Sequence, residues 1–228
     1  SHNVVKLQMA RLKFKKKIRI LNEEDFFKSK LDNKEINLIN INYNTSKAFE
    51  PISSKSNYYI KKSFEIAFKI IKKNKIKRFI TGPISKKFFL KKKYLGMTEY
   101  ISKKFNIKKK AMLIYNENLS VCPITTHMPL KFVTKKINKS LIEEKVKLID
   151  NFYIKNFKIK PKIGILGVNP HCESINKFNE DEEILKPTIN KLKKQKYKVI
   201  GPLSADTAFM QNNIKKIDVV LGMYHDQV

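Results

Sequence analysis

The chain has 228 residues, 42% of them hydrophobic, a formal net charge of +29 and two cysteines. That length and apolar content suffice for a sizeable core, in one large domain or two small ones. No run approaches the roughly 18 consecutive apolar residues of a membrane helix, no charged-then-apolar leader precedes a small-residue cleavage site, and Cys122 and Cys172 are too few for a disulfide framework, so a cytoplasmic protein with reduced thiols is expected.

The charge invites a nucleic-acid reading. The lysines are nevertheless spread along the whole chain, in Lys15-Lys16-Lys17, Lys72-Lys73, Lys91-Lys92-Lys93, Lys108-Lys109-Lys110 and Lys193-Lys194. They accompany many Asn and Ile residues, and only a few basic residues are Arg, the side chain best suited to bidentate phosphate or base contacts. A general compositional drift produces this pattern without a polyanion partner. The charge then has the milder role of steering anionic substrates towards a cleft. A basic nucleic-acid-binding protein is the alternative of another class; it requires lysines clustered on one face and binding that weakens steeply with salt.

In chain order, Ile60, Phe64, Ala67, Phe68 and Ile71 recur at helical spacing and predict a helix over Tyr59 to Lys73. A short strand, Arg78-Phe79-Ile80, follows, then the turn Thr81-Gly82-Pro83. Ala111 to Tyr115 and Ser120 to Ile124 read as strands of a hairpin around Asn116-Glu117-Asn118. Ser140-Leu141-Ile142-Glu143 has the form of a capping box and opens a helix with the face Ile142, Val146, Ile149, Tyr153. Ile163 to Val168 is a buried-type strand. Leu185, Ile189 and Leu192 mark another helix, with Pro187 tolerable only near its first turn. Val199-Ile200 and Val219 to Met223 are the last strands. This alternation predicts an α/β fold. The chain stops five residues after an interior-type strand and lacks an opening strand with a Gly-rich turn, so further segments are expected at both ends.

Apart from His2, the histidines are His127, His171 and His225, and each lies just beyond a predicted strand. Ligand sites of open α/β sheets lie outside the carboxyl ends of the strands. Three neutral imidazoles at that edge suit a divalent transition metal with positions left open for substrate. Their spacing matches no short metal motif, so the signal is the constellation. Asp226 adjoins His225, and Asp206 follows the Val199-Ile200 strand. A carboxylate there holds a ligand histidine in its tautomer or takes a proton; the bland alternatives are a helix N-cap for Asp206 and a solvated loop for Asp226.

Thr81-Gly82-Pro83-Ile84-Ser85-Lys86, Gly96-Met97-Thr98-Glu99, Thr125-Thr126-His127-Met128-Pro129-Leu130, Val168-Asn169-Pro170-His171, Gly201-Pro202-Leu203-Ser204-Ala205-Asp206-Thr207 and Met223-Tyr224-His225-Asp226-Gln227 occur in that order. The series resembles the 4-hydroxythreonine-4-phosphate dehydrogenase family from about Thr81 onward. The resemblance implies a two-domain fold like that of isocitrate and isopropylmalate dehydrogenases, with a cleft between domains. Residues 1–95 would belong to the first α/β domain and 96–228 to the second. It implies that His127, His171 and His225 bind a divalent metal (Zn, Mg or Co), that Met97 and Thr98 occupy substrate-binding positions, and that Asp206 and Asp226 lie near the metal as base or support. It further implies a homodimer with an active site shared between subunits, and NAD or NADP as oxidant, with the cofactor-binding segment outside this chain.

The implied reaction oxidises 4-phosphohydroxy-L-threonine to a 3-keto acid that decarboxylates, a step of vitamin B6 synthesis. Two departures stand out. The family usually has His at the position of Met97, and methionine cannot donate a hydrogen bond to phosphate. A paralogue acting on another phosphorylated hydroxy acid, such as a four-carbon aldonate phosphate, is the alternative that Met97 keeps open. The loop Cys172-Glu173-Ser174-Ile175-Asn176 replaces a commonly Gly-rich stretch. An inactive relative that retains the metal is the remaining alternative.

Overall fold

The structure is a computed structural model that describes residues 1–74, 78–91, 93–173 and 178–228. Residues 174–176 of the loop after Cys172, and Lys92 of the Lys91-Lys92-Lys93 run, lie outside the described residues. The chain divides into two compact units, Ser1–Tyr94 and Leu95–Val228.

The first unit runs α1 (His2–Arg11), β1 (Ile18–Leu21), α2 (Glu23–Lys28), β2 (Ile36–Ile39), α3 (Asn57–Asn74) and α4 (Lys86–Phe89). β1 and β2 pair in parallel, Ile18 opposite Ile36 and Leu21 opposite Ile39. The helical spacing predicted from Tyr59 is realised in α3. Its Phe64 and Phe68 are buried and pack ring against ring at 5.4 Å, with Phe89 stacked on Phe64 at 5.6 Å. The strand expected at Arg78-Phe79-Ile80 is absent. Ile80 is 93% exposed, and the Phe79 ring packs on Phe64 and Phe68, at 5.9 and 6.0 Å. Aromatic packing against α3, with no strand alongside among the described residues, decides the backbone there.

The second unit holds α5 (Met97–Lys104), β3 (Ser120–Thr125), α6 (Lys139–Phe157), β4 (Ile163–Leu166), α7 (Lys186–Lys194), β5 (Val199–Leu203), α8 (Ala205–Ala208), α9 (Gln211–Ile214) and β6 (Val219–Tyr224). Its sheet has the order β3-β6-β4-β5, with every neighbouring pair parallel. Leu221 of the central β6 faces Cys122 of β3 on one side and Ile165 of β4 on the other. β4 is buried at every position and β6 at all but the last. That is why both read as unbroken apolar runs.

α6 supplies Ile142, Val146, Ile149 and Tyr153 to the core, and α7 supplies Ile189 and Leu192. Each such apolar side chain, fully buried, contributes about 1.5–3 kcal/mol. The Tyr153 hydroxyl donates to Ser120 Oγ at 2.8 Å, so the polar end of this core residue is satisfied where it meets β3. Gly201 is required: its φ is +135°, and a Cβ there would lie 2.4 Å from the Ile165 carbonyl oxygen of the neighbouring strand.

Two local expectations shift. The cap of α6 is Asn138, whose side chain accepts from Leu141 N–H at 2.9 Å, rather than Ser140. The cap two residues upstream extends the helix and places Ser140 inside it. The hairpin reduces to a single antiparallel bridge between Ile114 and Val121, because β3 makes its ladder with β6.

Candidate metal centre

Parallel strands end on one edge of the sheet, and β3, β6 and β4 are consecutive there. The residues that follow them therefore lie along one edge: His127 after β3, His225 after β6 and His171 after β4. The strand ends are fastened to one another. Thr125 Oγ1 donates to the Met223 carbonyl at 2.7 Å, joining β3 to β6. The Gln227 side chain accepts from Met223 N–H and donates to the Gly167 carbonyl, both at 2.7 Å, joining the end of β6 to that of β4.

The His127 and His225 rings lie 5.8 Å apart between centroids, tilted by 32°. His225 Nδ1 is 2.9 Å from Asp226 Oδ1. His171 stands apart from that pair, beside α8, with Nδ1 3.7 Å from Asp206 Oδ2. His127 and His171 both take left-handed backbone angles, φ 48° and 55°. For a residue other than glycine such angles cost of order 1 kcal/mol or more and gather at functional sites.

The loop carrying His171 is set by Asp181, whose side chain is fully buried. Its carboxylate accepts from Val168 N–H at 2.8 Å, Asn169 N–H at 3.0 Å and Asn169 Nδ2 at 3.0 Å. Asp206 is exposed in α8, where Ser204, not Asp206, is the cap residue. The Ser204 hydroxyl donates to its carboxylate and holds it below the usual carboxylate range, with a smaller contribution from the neighbouring His171.

Met97 and Thr98 form the first turn of α5, partly buried. The next residue, Glu99, reaches back to the histidine edge. Its Oε1 accepts from the Thr126 hydroxyl at 3.3 Å, and its Oε2 lies 3.9 Å from His127 Nδ1. Glu99, Asp181 and Gln227 had no assigned role from sequence. Glu99 and Gln227 belong to the quoted motifs, which is the one sequence signal that pointed to them.

Imidazole nitrogens match a divalent transition metal in kind. Two rings bound through nitrogen at about 2.0–2.1 Å, in a tetrahedral arrangement, stand about 5 Å apart between centroids, close to the observed 5.8 Å for His127 and His225. In ring spacing, the pair is compatible with such an ion. Among the described residues, no three His, Cys, Asp or Glu side chains stand close enough together to hold one. His171 shares the edge but does not reach the pair.

The whole chain, residues 1–228, matches the family described as "Pyridoxal phosphate biosynthetic protein PdxA". It is 40% identical over 167 residues to the 4-hydroxythreonine-4-phosphate dehydrogenase of Sulfurihydrogenibium sp. (strain YO3AOP1), covering 72% of this chain and 51% of that protein. It is 40% identical over 152 residues to that of Aquifex aeolicus, covering 65% and 47%. The chain thus spans about half the length of these relatives. Among solved structures, the 4-hydroxythreonine-4-phosphate dehydrogenase of Klebsiella pneumoniae superposes with a TM-score of 0.76 at 25% identity, over 99% of this chain and 70% of that one. A terephthalate 1,2-cis-dihydrodiol dehydrogenase of Burkholderia xenovorans shares the fold, with a TM-score of 0.60 at 20% identity over 96% of this chain and 68% of that one. The parallel α/β architecture is that of these dehydrogenases, and the chain belongs to the pyridoxal phosphate biosynthetic PdxA family.

Proposed function

We propose that this chain carries the metal- and substrate-binding part of an NAD(P)-dependent dehydrogenase. The enzyme oxidises 4-phosphohydroxy-L-threonine to a 3-keto acid, which decarboxylates to 3-amino-2-oxopropyl phosphate in vitamin B6 synthesis. The observation that carries this reading is the placing of three histidines at adjoining strand ends, two of them 5.8 Å apart. His127 and His225 would hold a divalent ion; His171, on the same edge, would join them only after its loop moved towards the pair. The imidazole donors favour zinc or cobalt over magnesium. The bound ion supplies Lewis acidity that lowers the pKa of the substrate hydroxyl.

Of the two carboxylates at this edge, Asp206 is solvent-exposed, its carboxyl held below the usual range by Ser204, and Asp226 adjoins His225. Either accepts the hydroxyl proton. Thr98 donates its hydroxyl to the substrate phosphate, and the +29 chain steers that anion inward. The resemblance adds a homodimer with a site shared between subunits and a cytoplasmic location. No helix among the described residues is long and apolar enough to cross a membrane.

The test is NADH formation from 4-phosphohydroxy-L-threonine by the protein that carries this chain, across a panel of divalent metals. Metal-dependent turnover lost in His127→Ala and His225→Ala is the expected result. Turnover of a four-carbon aldonate phosphate instead would move the assignment to a paralogue. Met97 is the reason to include that substrate, since its thioether donates no hydrogen bond. Metal binding with no turnover of either substrate would refute the catalytic reading.

A further inference from the structure

Among the described residues, two polar atoms buried at the histidine edge have no hydrogen-bond partner: Glu99 Oε2 and His127 Nδ1. They face each other at 3.9 Å, about 1 Å beyond hydrogen-bond length. Leaving both unpaired is costly, and each is the partner that the other lacks. The backbone makes room for the encounter. A Cβ on Gly96 would lie 2.9 Å from Glu99 Oε2, 3.0 Å from His127 Cε1 and 3.1 Å from His127 Nδ1. A residue with a side chain at that position would crowd both groups. The other carboxylate oxygen of Glu99 is occupied by the Thr126 hydroxyl at 3.3 Å, which fixes which oxygen faces the ring.

We infer that Glu99 is a positioning residue for His127: its Oε2 accepts the Nδ1–H, which fixes the tautomer and leaves Nε2 bare for a metal ion. A carboxylate in this role orients the ring and raises the basicity of the ligand nitrogen. The claim about the metal rests on the function proposed above; the claim about the tautomer does not. Glu99 acts through His127 and does not touch substrate. Its position at the third residue of α5 couples the turn bearing Met97 and Thr98 to a histidine at the end of β3.

The test has two arms on the same protein. In the first, nitrogen NMR of ¹⁵N-histidine-labelled, metal-free protein reads which ring nitrogen of His127 carries the proton. Nδ1–H is expected in the wild type and in Glu99→Gln, whose amide oxygen still accepts. The Nε2–H form is expected in Glu99→Leu. In the second, zinc affinity is measured by competition with a chromophoric chelator. A loss of about 10–100-fold is expected for Glu99→Leu, with Glu99→Gln between it and the wild type. An Nε2–H tautomer in the wild type, or zinc affinity in Glu99→Leu within about threefold of wild type, overturns the inference. Failure of the wild type to bind zinc sinks the proposed metal site instead, and the tautomer arm still decides the role of Glu99. Should Glu99→Leu fail to fold, the wild-type tautomer and the Glu99→Gln affinity decide it.

Discussion

Replacing Asp181 tests the reading that one buried carboxylate shapes the loop carrying His171. In Asp181→Ala three hydrogen bonds disappear, those from Val168 N–H, Asn169 N–H and Asn169 Nδ2, at 2.8, 3.0 and 3.0 Å. Hydrogen bonds to a charged group contribute about 1.5–3 kcal/mol each. Val168 and Asn169 are only partly buried, so water replaces part of what is lost, and the low end of that range applies. Removing a fully buried carboxylate also returns some of the cost of desolvating it. The net loss comes to about 3 kcal/mol, or roughly 10 °C in Tm for a unit of this size. Asp181→Asn keeps the shape and one acceptor oxygen, but its amide confronts an N–H donor with another, and about 2 kcal/mol is expected. Urea unfolding measures both values, and amide hydrogen exchange at Val168 and Asn169 locates the effect. A loss below about 1 kcal/mol in Asp181→Ala, or unchanged protection at both amides, would refute the reasoning.

Gly201→Ala places a Cβ 2.4 Å from the Ile165 carbonyl oxygen at a φ of +135°; strain at such an angle costs about 1–3 kcal/mol before the clash is counted, so thermal unfolding should shift down by more than in Asp181→Asn, and an unchanged Tm would contradict the close approach of β5 to β4. Lys55, then Tyr43 and Thr45, hold the Glu50 carboxyl down to about 2 from its ordinary 4.5. A depressed carboxylate stabilises the fold above its unfolded pKa, and that contribution is lost as pH falls from about 4.5 through about 2. Carbon NMR titration of Glu50 should give a midpoint near the low value that Lys55→Met raises towards 4.5, whereas a wild-type midpoint already at 4.5 would refute the network. Burial pushes the Cys122 thiol up to about 12. Cys122 should therefore ignore an aromatic disulfide reagent at pH 8 until the chain is unfolded, and rapid labelling of Cys122 in a native Cys172→Ser variant would show that β3 is not buried as described.

The strands of the second unit were readable because β4 and β6 are covered on both faces, and full burial leaves an apolar run that needs no partner to be recognised. Their order was not readable. β6 is the last strand in the chain yet lies between β3 and β4, and that insertion depends on which helix covers which face, a non-local matter. Similar limits explain the local misses. Ser140 and Asn138 are both good caps, and only the path of the chain into α6 selects Asn138. Phe79 reads as a strand residue until its ring is seen against Phe64 and Phe68.

At the candidate site, the three histidines could be placed from sequence because the edge rule needs only a local judgement: a strand, then the residue just past its carboxyl end. The groups that hold them could not. Gln227 is ordinary in its own neighbourhood, and its role comes from Gly167, 60 residues away. Asp181 sits in an acidic turn that reads as a solvated helix start, and becomes a buried acceptor only when the end of β4 folds onto it. A sequence thus announces the side chains that carry chemistry sooner than those that fix their geometry. The fixing is done here mostly by the sheet. Thr125 and Gln227 bond across strand ends to backbone oxygens of Met223 and Gly167, so His127, His225 and the His171 loop inherit the spacing of adjacent parallel strands, about 4.8 Å. Two imidazoles extending from neighbouring strands at that spacing already stand near the separation that one shared ion requires. What remains is the rotation of each ring about its own side chain. The strand register leaves that freedom open, and the carboxylates of Glu99, Asp206 and Asp226 are the groups placed to remove it.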